Sequence, residues 1–298
     1  MKKLFTLLFS CIFLFGIGLN AQSKVSNLEA SLSSDGILKI MAVPGSAVDN
    51  LMELTVENGN LLFSDLGRQI FSKDRKVSTA KYSIPLTKLP SQIIEVYGGD
   101  GDDNLLINYS QAFASQNFHI RYYGQGNRTG TIGDVMSFRG ETTDQFRHDA
   151  INKTDGIVYM DNSVFEYKGL EPITSTITAA NVILNYSSAD EAITISDAGS
   201  SQTTVASTAG ESVTFNPPSN SLNIDAGAGN DIVNFNSLGA NIPNITIDGG
   251  AGSNSLNVDA QGNCVIDNGN TIMIDGLYSF AYSNFSVVNI TNIQILYP

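Results

Sequence analysis

The sequence predicts an all-β protein, built as a right-handed parallel β-solenoid with coils of about 23 residues. Short apolar runs rich in β-branched and aromatic residues are separated by Asn-Gly, Pro-Gly and Gly-Gly turns, and no helical stripe is found. The segment 221–235 is repeated at 244–258 with a fixed offset, since 248 − 225 = 23. Two antiparallel β-sandwich domains are the alternative fold, but sandwiches do not require such a register.

The pattern of strands and turns also contains a larger repeat. Segment 156–173 matches segment 271–285, because each has strands around a turn and closes with a strand that carries the motif Phe-x-Tyr. The chain is therefore expected to divide into a first solenoid unit at 22–175 and a second at 176–298.

In a solenoid, alternate strand residues point inward and pack on their equivalents in the next coil. The 23-residue repeat thus predicts that Leu222 and Ile224 lie over Ile245 and Ile247. Asparagine is frequent at the turns, where its side-chain amide can hydrogen-bond from coil to coil. The asparagines concerned are Asn223, Asn230, Asn234, Asn254, Asn257 and Asn268.

Residues 1–21 have the pattern of a secretory signal peptide. Two lysines precede an apolar run over 4–18, and Ala21 provides a small residue for cleavage. The run is too short to span a bilayer comfortably, and no later stretch reaches the roughly 20 apolar residues that a spanning helix needs. The protein is therefore expected to be secreted or held at the cell surface, with a lipoprotein attached through Cys11 as the alternative.

The chain is acidic, with 29 Asp and Glu against 16 Lys and Arg and a formal net charge of −13. Removal of residues 1–21 takes away two lysines, so the charge becomes 14 − 29 = −15. Such a field repels nucleic acid and anionic membranes and attracts cations. Cys264 is the only cysteine outside the leader, so stability must come from the core or from bound metal rather than from a disulfide.

Residues 109–155 are expected to form an irregular excursion from the first unit. They contain both histidines and most of the arginines of the chain. One interpretation, which we favour, is a solvated loop whose acidic residues balance the basic ones; the other is a ligand-binding loop on a rigid scaffold. The candidate ligand-contacting residues are His119, Arg121, Arg128, Arg139 and Arg147.

The turns that combine glycine with acidic residues match a known motif. Gly98–Leu105 carries the full pattern Gly-Gly-x-Gly-x-Asp-x-apolar, and 226–233 and 249–256 carry it with one replacement each. With the Phe-x-Tyr-x-Gly-Leu-Glu-Pro stretch ending at Pro172, the chain resembles hemolysin-type calcium-binding repeats and the repeat regions of large secreted or surface-attached bacterial adhesins, which are β-solenoids. The resemblance implies calcium as a cofactor, held by oxygen ligands. The candidate metal ligands are Asp225, Asp231, Asp248, Asn254, Asp100, Asp102 and Asp103.

The chain departs from these repeats in one respect. Calcium-binding repeats follow one another directly, so that an ion sits between successive turns, whereas here each copy stands alone in its coil. Only the copies at 225–233 and 248–256 could stack and bring their acidic and amide side chains together. The alternative is structural, since glycine allows a tight turn with positive φ and acidic side chains keep that turn solvated.

These observations predict a secreted or surface-exposed, non-catalytic solenoid that serves as an adhesin-like binding or structural module, with calcium as a candidate stabilising ion. Its partner would be an extracellular glycan or protein. The main alternative is a β-helix enzyme that cleaves acidic glycans in the manner of a polysaccharide lyase, which needs clustered carboxylates beside Arg or Lys. No nucleophile elbow, zinc-binding helix motif or phosphate-binding loop occurs, so we expect no enzymatic activity. A rigid spacer without a ligand is the third class.

Overall fold

Two large, mostly parallel β-sheets make up the described part of the protein. The computed structural model describes residues 24–43, 48–66, 68–126 and 133–294, so the signal peptide predicted at 1–21 lies outside the described residues. Strands account for 59% of the structure and helices for 3%, which confirms the all-β prediction. Among the described residues, no helix combines the length and the apolar character that crossing a membrane requires.

Short strands follow one another along the whole described chain. Apart from the helix α1 (Gln111–Ala114) and a 3-10 helix at Leu86–Lys88, the elements are β1 (Lys24–Leu32), β2 (Leu38–Ala42), β3 (Leu51–Glu57), β4 (Asn60–Asp65), β5 (Arg68–Ser72), β6 (Val77–Thr79), β7 (Lys81–Pro85), β8 (Ile93–Asp100), β9 (Asn104–Tyr109), β10 (His119–Gly126), β11 (Val135–Gly140), β12 (Thr143–Ala150), β13 (Asp155–Met160), β14 (Ser163–Lys168), β15 (Ile173–Ser175), β16 (Ala179–Asn185), β17 (Ala192–Gly199), β18 (Gln202–Ser207), β19 (Val213–Phe215), β20 (Ser221–Asp225), β21 (Ile232–Phe235), β22 (Asn244–Asp248), β23 (Ser255–Asp259), β24 (Val265–Asp267), β25 (Thr271–Ile274), β26 (Tyr278–Ser283) and β27 (Val287–Thr291).

Hydrogen bonding sorts these strands into two sheets. Sheet A has 15 strands in the order β24-β25-β26-β22-β20-β16-β12-β13-β14-β10-β8-β2-β1-β5-β6, and sheet B has 12 in the order β27-β23-β21-β17-β18-β19-β15-β11-β9-β3-β4-β7. Over much of the chain, successive strands alternate between the sheets, as β8 and β10 in sheet A alternate with β9 and β11 in sheet B. We call one passage of the chain through both sheets a circuit. Neighbours such as β8 and β10, or β9 and β11, are therefore one circuit apart and pair in parallel.

The core is formed by the inward side chains of both sheets. In β10, Ile120 points inward and has no exposed surface, whereas His119 and Arg121 point outward. Ile120 is paired with Ile94 on one side and with Phe165 on the other, so equivalent residues of three strands form one buried column. Each such side chain contributes roughly 1.5–3 kcal/mol through its removal from water.

The predicted 23-residue stacking is confirmed for one pair of circuits. Strands β20 and β22 pair in parallel, with Leu222 opposite Ile245 and Ile224 opposite Ile247. All four side chains are at most 3% exposed. Strands β21 and β23 keep the same offset in sheet B, since 256 − 233 = 23.

The offset between stacked residues differs elsewhere, so the prediction of uniform 23-residue coils is wrong for the rest of the chain. Ile120 pairs with Ile94, an offset of 120 − 94 = 26, and Leu222 pairs with Val182, an offset of 222 − 182 = 40. Longer circuits contain antiparallel meanders of three strands, namely β3–β4–β7, β12–β13–β14, β17–β18–β19 and β24–β25–β26. A three-strand meander returns the chain to its original direction, so parallel stacking resumes after it.

The repeated Phe-x-Tyr motifs occupy the third strand of two of these meanders. Phe165 and Tyr167 lie in β14, and Phe280 and Tyr282 lie in β26. All four side chains are buried, and each strand pairs in parallel with a strand of an earlier circuit, β10 or β22. The larger repeat therefore marks two equivalent meanders. The domain division at 175/176 stays a prediction, and the pair β12–β16 bridges it.

The irregular excursion predicted at 109–155 is wrong for the described part of that segment. The segment contains α1 and the regular strands β10, β11 and β12. Arg121, Arg139 and Arg147 of these strands occupy outward positions, next to buried residues on either side or on one side. This two-residue period is hidden in the sequence because Tyr122 points inward and Tyr123 outward, so apolar character alone does not show the alternation.

The turns that combine glycine and acidic residues stack directly on one another. Ala251 donates its amide to the Gly227 carbonyl at 2.9 Å, and Gly229 donates to the Ala251 carbonyl at 2.9 Å. A Cβ on Gly250, whose φ is +67°, would lie 1.8 Å from the Gly227 carbonyl oxygen. Close approach of the two backbones therefore requires glycine at position 250, in addition to its positive φ.

We expect Gly250→Ala to destabilise the fold more than Gly262→Ala. The two glycines have similar φ values, +67° and +77°, but a Cβ on Gly262 meets nothing within 4 Å. The left-handed conformation costs about 1–2 kcal/mol in both variants, whereas the clash with Gly227 adds about 1–3 kcal/mol in the first variant only. Urea unfolding followed by circular dichroism measures the difference in stability. Equal unfolding midpoints for the two variants would show that a Cβ at position 250 does not clash with the neighbouring turn.

Candidate ligand-binding surface

A row of charged side chains crosses the outer face of sheet A. Lys39 of β2 is paired with Glu95 of β8. Arg121 of β10 follows Glu95, and Glu166 of β14 follows Arg121. Because parallel strands in register place equivalent residues side by side, these four side chains stand in line on the surface. We call these four residues the charged row.

Alternating charge holds the row together. Lys39 Nζ lies 3.1 Å from Glu95 Oε2, and Arg121 Nη1 lies 3.2 Å from Glu95 Oε1. Arg121 Nε lies 3.6 Å from Glu166 Oε2. Burial acts to raise the pKa of Glu95, but hydrogen bonds from Lys39, Tyr97 and Arg121 outweigh it and hold this pKa below its usual value. The row therefore presents a fixed arrangement of hydrogen-bond donors and acceptors.

Two tyrosines lie beside the charged row. The rings of Tyr97 and Tyr123 stack with their centroids 4.6 Å apart and an interplanar angle of 11°, close to the roughly 4.8 Å spacing of the strands that carry them. The Tyr97 hydroxyl donates to Glu95 Oε2 at 3.3 Å. Burial and the nearby Glu95 carboxylate raise the pKa of Tyr97, so its hydroxyl stays protonated and acts as a donor.

A surface cavity of about 290 Å³ opens next to Tyr97. Met41 and Val43 supply apolar walls, while Asp100 and Gln125 supply polar groups. An aromatic ring beside a carboxylate and an amide suits a ligand rich in hydroxyl groups, because the ring packs on apolar C–H groups and the polar side chains bond the hydroxyls. The charged row, the tyrosine pair and this cavity together form the candidate ligand-binding surface.

The structure brings together two of the five predicted ligand-contacting residues. His119 and Arg121 both lie on the outer face of β10, and His119 Nε2 is 3.3 Å from Glu166 Oε2. Arg139 lies on the outer face of sheet B, where its Nη2 donates to Glu53 Oε1 at 2.6 Å. Arg139 therefore faces a different side of the molecule.

The remaining two predicted residues do not join this surface. Arg147 lies in β12, where it is paired with Asp149 and stands 4.7 Å above the ring of Tyr159. Arg128 lies outside the described residues. Arg121 and Arg147 thus lie in sheet A and Arg139 lies in sheet B, because β10, β11 and β12 alternate between the two sheets.

Sequence reasoning missed Lys39, Glu95 and Tyr97. These residues lie far along the chain from their partners, on other circuits. The sequence does contain a pattern that indicates this contact. Glu95-x-Tyr97 and Arg121-x-Tyr123 each have a charged residue two positions before a tyrosine. Outward positions of two stacked strands produce this pattern.

The residues predicted to bind calcium are divided between the inside and the outside of the turns. Asp103, Asp231 and Asn254 each lie immediately before a strand of sheet B and are buried. Asp103 Oδ1 accepts from the Asn50 amide at 2.7 Å, and Asn254 Oδ1 accepts from the Asp231 amide at 2.9 Å. These bonds tie one circuit to the next. We call the buried residues at this position the inner ladder: Asn50, Asp103, Asp134, Glu191, Asp231 and Asn254.

Asp225 and Asp248 lie outside the turns, at the ends of β20 and β22, and are paired across the two strands. Each accepts a hydrogen bond from the backbone amide two residues further on, at Gly227 and Gly250, both at 2.9 Å. Asp248 also accepts from the side-chain amide of Asn284 at 2.6 Å. These two carboxylates therefore shape their own turns and face solvent.

The third acidic turn shows the same division. Asp100 is exposed at the end of β8, and Asp102 donates its backbone amide to Asp49 Oδ1 at 3.0 Å. Across the described ranges, no group of three or more His, Cys, Asp or Glu side chains is arranged to hold a metal ion. Calcium binding stays a prediction.

Two carboxyl groups of the inner ladder are shielded from water. Burial raises the pKa of Asp103 to about 6 and that of Asp134 to about 7. The Oδ2 atoms of both are buried without a hydrogen-bond partner. At the equivalent place, Asn254 Nδ2 donates to the carbonyls of Gly249 at 2.5 Å and Asn284 at 3.1 Å. A protonated carboxyl group can donate in the same way, whereas an ionised one cannot.

The second histidine of the chain, His148, belongs to the core. Its Nε2 lies 2.7 Å from the Tyr167 hydroxyl oxygen, and burial lowers its pKa to about 4. The ring is therefore neutral at neutral pH. Because His148 has no exposed surface, it cannot contact a ligand at the surface.

Comparisons with protein-family models, with curated proteins and with solved structures gave no match for this chain. The resemblance to calcium-binding repeats and adhesins stays a prediction.

We expect Asp103→Asn to stabilise the protein above pH 6. In the unfolded chain this carboxyl group ionises near pH 4, whereas its pKa in the folded protein is about 6. Stability from this group is thus fully present below pH 4 and is lost as the pH rises to about 6. The amide does not ionise, so the variant avoids this loss of about 1–3 kcal/mol.

Thermal unfolding at pH 4 and at pH 8 measures the effect. Asp100→Asn, at an exposed position of the same turn, is the control and should change the midpoint little at either pH. A gain from Asp103→Asn that is equal at both pH values would show that ionisation of Asp103 does not weaken the fold.

Proposed function

We propose that this protein is a secreted or surface-exposed, non-catalytic β-solenoid that works as an adhesin-like binding module. Its ligand-binding surface is the outer face of sheet A around the charged row, and its partner is an extracellular glycan or protein. The observation that carries the proposal is the fixed row of alternating charge beside the stacked rings of Tyr97 and Tyr123.

The course of the chain supports the solenoid architecture. Strands of successive circuits alternate between two sheets, pair in parallel and stack their inward residues, as Ile94, Ile120 and Phe165 do. Parallel crossover connections are right-handed in nearly all proteins, which favours a right-handed coil. The leader pattern at 1–21 and the acidic composition support export to the cell exterior.

The rigidity of the surface supports a binding role. Side chains that are already ordered by neighbours lose little freedom when a ligand arrives, so more of the contact energy appears as affinity. Lys39, Glu95 and Arg121 are held by ion pairs, and Tyr97 is held by its ring partner and by Glu95. The surface therefore needs little rearrangement to present both charge and aromatic area.

One observation favours the lyase-like alternative. Glu95 and Glu166 flank Arg121 in mid-strand, which is the clustering of carboxylates and a cation that cleavage of an acidic glycan needs. Against it, both carboxylates are already paired with Arg121, and a guanidinium cannot serve as a base because it stays protonated in proteins. The arrangement therefore suits recognition better than proton transfer.

Affinity electrophoresis in gels that contain dextran, polygalacturonate or gelatin tests this function. We expect at least one of the three probes to retard the protein. Arg121→Gln should weaken that retardation about 10-fold, because the variant loses the cation that orders Glu95 and Glu166.

Arg139→Gln, on the outer face of sheet B, is the matched control and should leave the retardation unchanged. Equal weakening by both variants would place binding elsewhere on the molecule. Release of unsaturated, ultraviolet-absorbing products from polygalacturonate would favour the lyase alternative instead.

Calcium as a stabilising ion is supported by one pair of carboxylates. Asp225 and Asp248 are paired on neighbouring strands, and like charges in that position repel each other. We expect millimolar calcium to raise the thermal midpoint by roughly 2–4 °C, as about 1 kcal/mol of stabilisation would do. Asp248→Asn should abolish the rise in midpoint, whereas the control Asp267→Asn should retain it. An unmodified protein with the same midpoint in calcium and in chelator would refute calcium binding at this pair.

A further inference from the structure

Each sheet ends in two terminal strands, and these four strands form two opposite ends of the molecule. Sheet A ends in β6 and β24, and sheet B ends in β7 and β27. Strands β6 and β7 are consecutive in the chain and close both sheets at one end, which we call the basic end. Strands β24 and β27 close both sheets at the other end, which we call the acidic end.

The outer edge of a terminal strand carries backbone groups that lack a strand partner. At the basic end, Leu86 donates to the Gly59 carbonyl at 3.0 Å, which sets the hydrogen-bonded pairs of β4 and β7 at alternate residues. The carbonyl of Ser83 therefore faces away from β4, and it accepts from Arg75 Nη2 at 2.7 Å. The outward carbonyl of Lys81 likewise accepts from the Thr79 hydroxyl at 2.8 Å. Side chains rather than a strand therefore occupy these edge acceptors, and a strand that pairs with β7 must displace them.

The terminal strands of each sheet run in the same direction. In sheet B, β7 and β27 are each linked to the parallel strands β9, β11, β21 and β23 through parallel pairs and complete meanders. In sheet A, β6 runs parallel to β2 and β8, and β24 runs parallel to β22 and β26. A second copy placed at either end would therefore continue the parallel pairing in both sheets.

The lengths of the terminal strands also match. Strands β6 and β24 have 3 residues each, and β7 and β27 have 5 residues each. Neither sheet would leave an overhanging strand at the junction of two copies.

The two ends carry opposite charge. Six of the 16 Lys and Arg of the chain lie between Arg68 and Lys88, with Asp74 as the only acidic residue in that span. Two of the six are paired with acidic residues of neighbouring strands. The strands and turns of the acidic end, residues 259–294, carry three acidic residues, Asp259, Asp267 and Asp275, and no Lys or Arg. The basic end of one molecule thus attracts the acidic end of another.

Exposed apolar side chains lie on the terminal strands. Val77 of β6 is 50% exposed, Ile266 of β24 is 57% exposed and Val287 of β27 is 47% exposed. A cavity of about 530 Å³ next to Ile266 is lined by Met273 and Leu277. Contact between two ends would remove this apolar surface from water, which drives association.

We propose that copies of this chain associate head to tail, with the basic end of one copy on the acidic end of the next. Strand β6 pairs with β24 and β7 pairs with β27 of the neighbouring copy. The contact uses a different surface at each end, so it is heterologous and extends to open chains of molecules rather than closing at a dimer. This inference is independent of the proposed ligand-binding function.

Sedimentation velocity of the purified protein over a hundredfold range of concentration tests the association. We expect the weight-average sedimentation coefficient to rise with concentration beyond that of a dimer. The rise should be smaller at about 1 M salt than at about 0.05 M salt, because salt screens the attraction between the ends. A single monomeric species at all concentrations, or a dimer that does not grow, would overturn the proposal.

Variants of the two ends test the direction of the contact. Val77→Glu with Lys81→Glu reverses charge at the basic end, and Ile266→Lys with Val287→Lys reverses it at the acidic end. Each double variant alone should associate at least 10-fold more weakly than the unmodified protein. A mixture of the two should associate again, since each variant retains one native end.

Two controls keep this test specific. Unchanged thermal unfolding of each variant shows that the fold is intact, and Ile151→Glu, which alters an exposed residue beside β12 in mid-sheet, should associate as the unmodified protein does. Variants that fold normally and still associate fully would overturn the proposal, as would a mixture that fails to associate.

Residues 295–298 lie outside the described residues, and their removal distinguishes a second copy from the protein's own segment as the occupant of the acidic end. Gln294 donates its amide to the Asn263 carbonyl at 3.0 Å, which brings the chain close to β24. If these four residues cover the edge, the full chain stays monomeric and a variant that ends at Gln294 associates. That result would replace the second copy by the protein's own segment.

Discussion

Parallel stacking of strands in register is the constraint on which the rest of this structure depends. Parallel neighbours lie roughly 4.8 Å apart, so the neighbours of a residue are the residues at the same position of the adjacent strands. Inward equivalents form buried columns, outward equivalents form the charged row, and turn residues form the inner ladder. In the charged row the sign of the charge alternates from strand to strand, so neighbouring side chains attract rather than repel each other.

The same geometry gives the acidic turn motif a role that needs no ion. An aspartate just before a strand of sheet B lies inside the turn, and its carboxyl oxygen accepts an amide from the neighbouring circuit, as at Asp103 and Asp231. An aspartate at the end of a strand of sheet A lies outside and caps its own turn, as at Asp225. Position relative to the turn, rather than residue type, decides whether the carboxyl group is buried.

The residue-by-residue stacking that was predicted from sequence lies where no meander interrupts the chain. Ile224 and Ile247 are separated by one simple circuit, so their offset is visible as a repeat. Glu95 and Lys39 are separated by β3 to β7, and no local pattern reveals that contact. Asp134 was not predicted for a related reason. Gly98 and Asp103 are 103 − 98 = 5 residues apart in one turn, whereas Gly124 and Asp134 are 134 − 124 = 10 residues apart in the next. Insertions change the sequence distance without changing the stacked position.

The uneven distribution of basic residues along the stack determines where the molecule can be cut. Proteases of trypsin-like specificity cleave after Lys or Arg, and the last such residue is Lys168, at the end of β14. Strands β15 to β27 therefore contain no cleavage site for these enzymes, whether the strands are folded or frayed. Digestion can shorten the molecule only from the side of the basic end, and it leaves the strands that follow Lys168 as one continuous fragment.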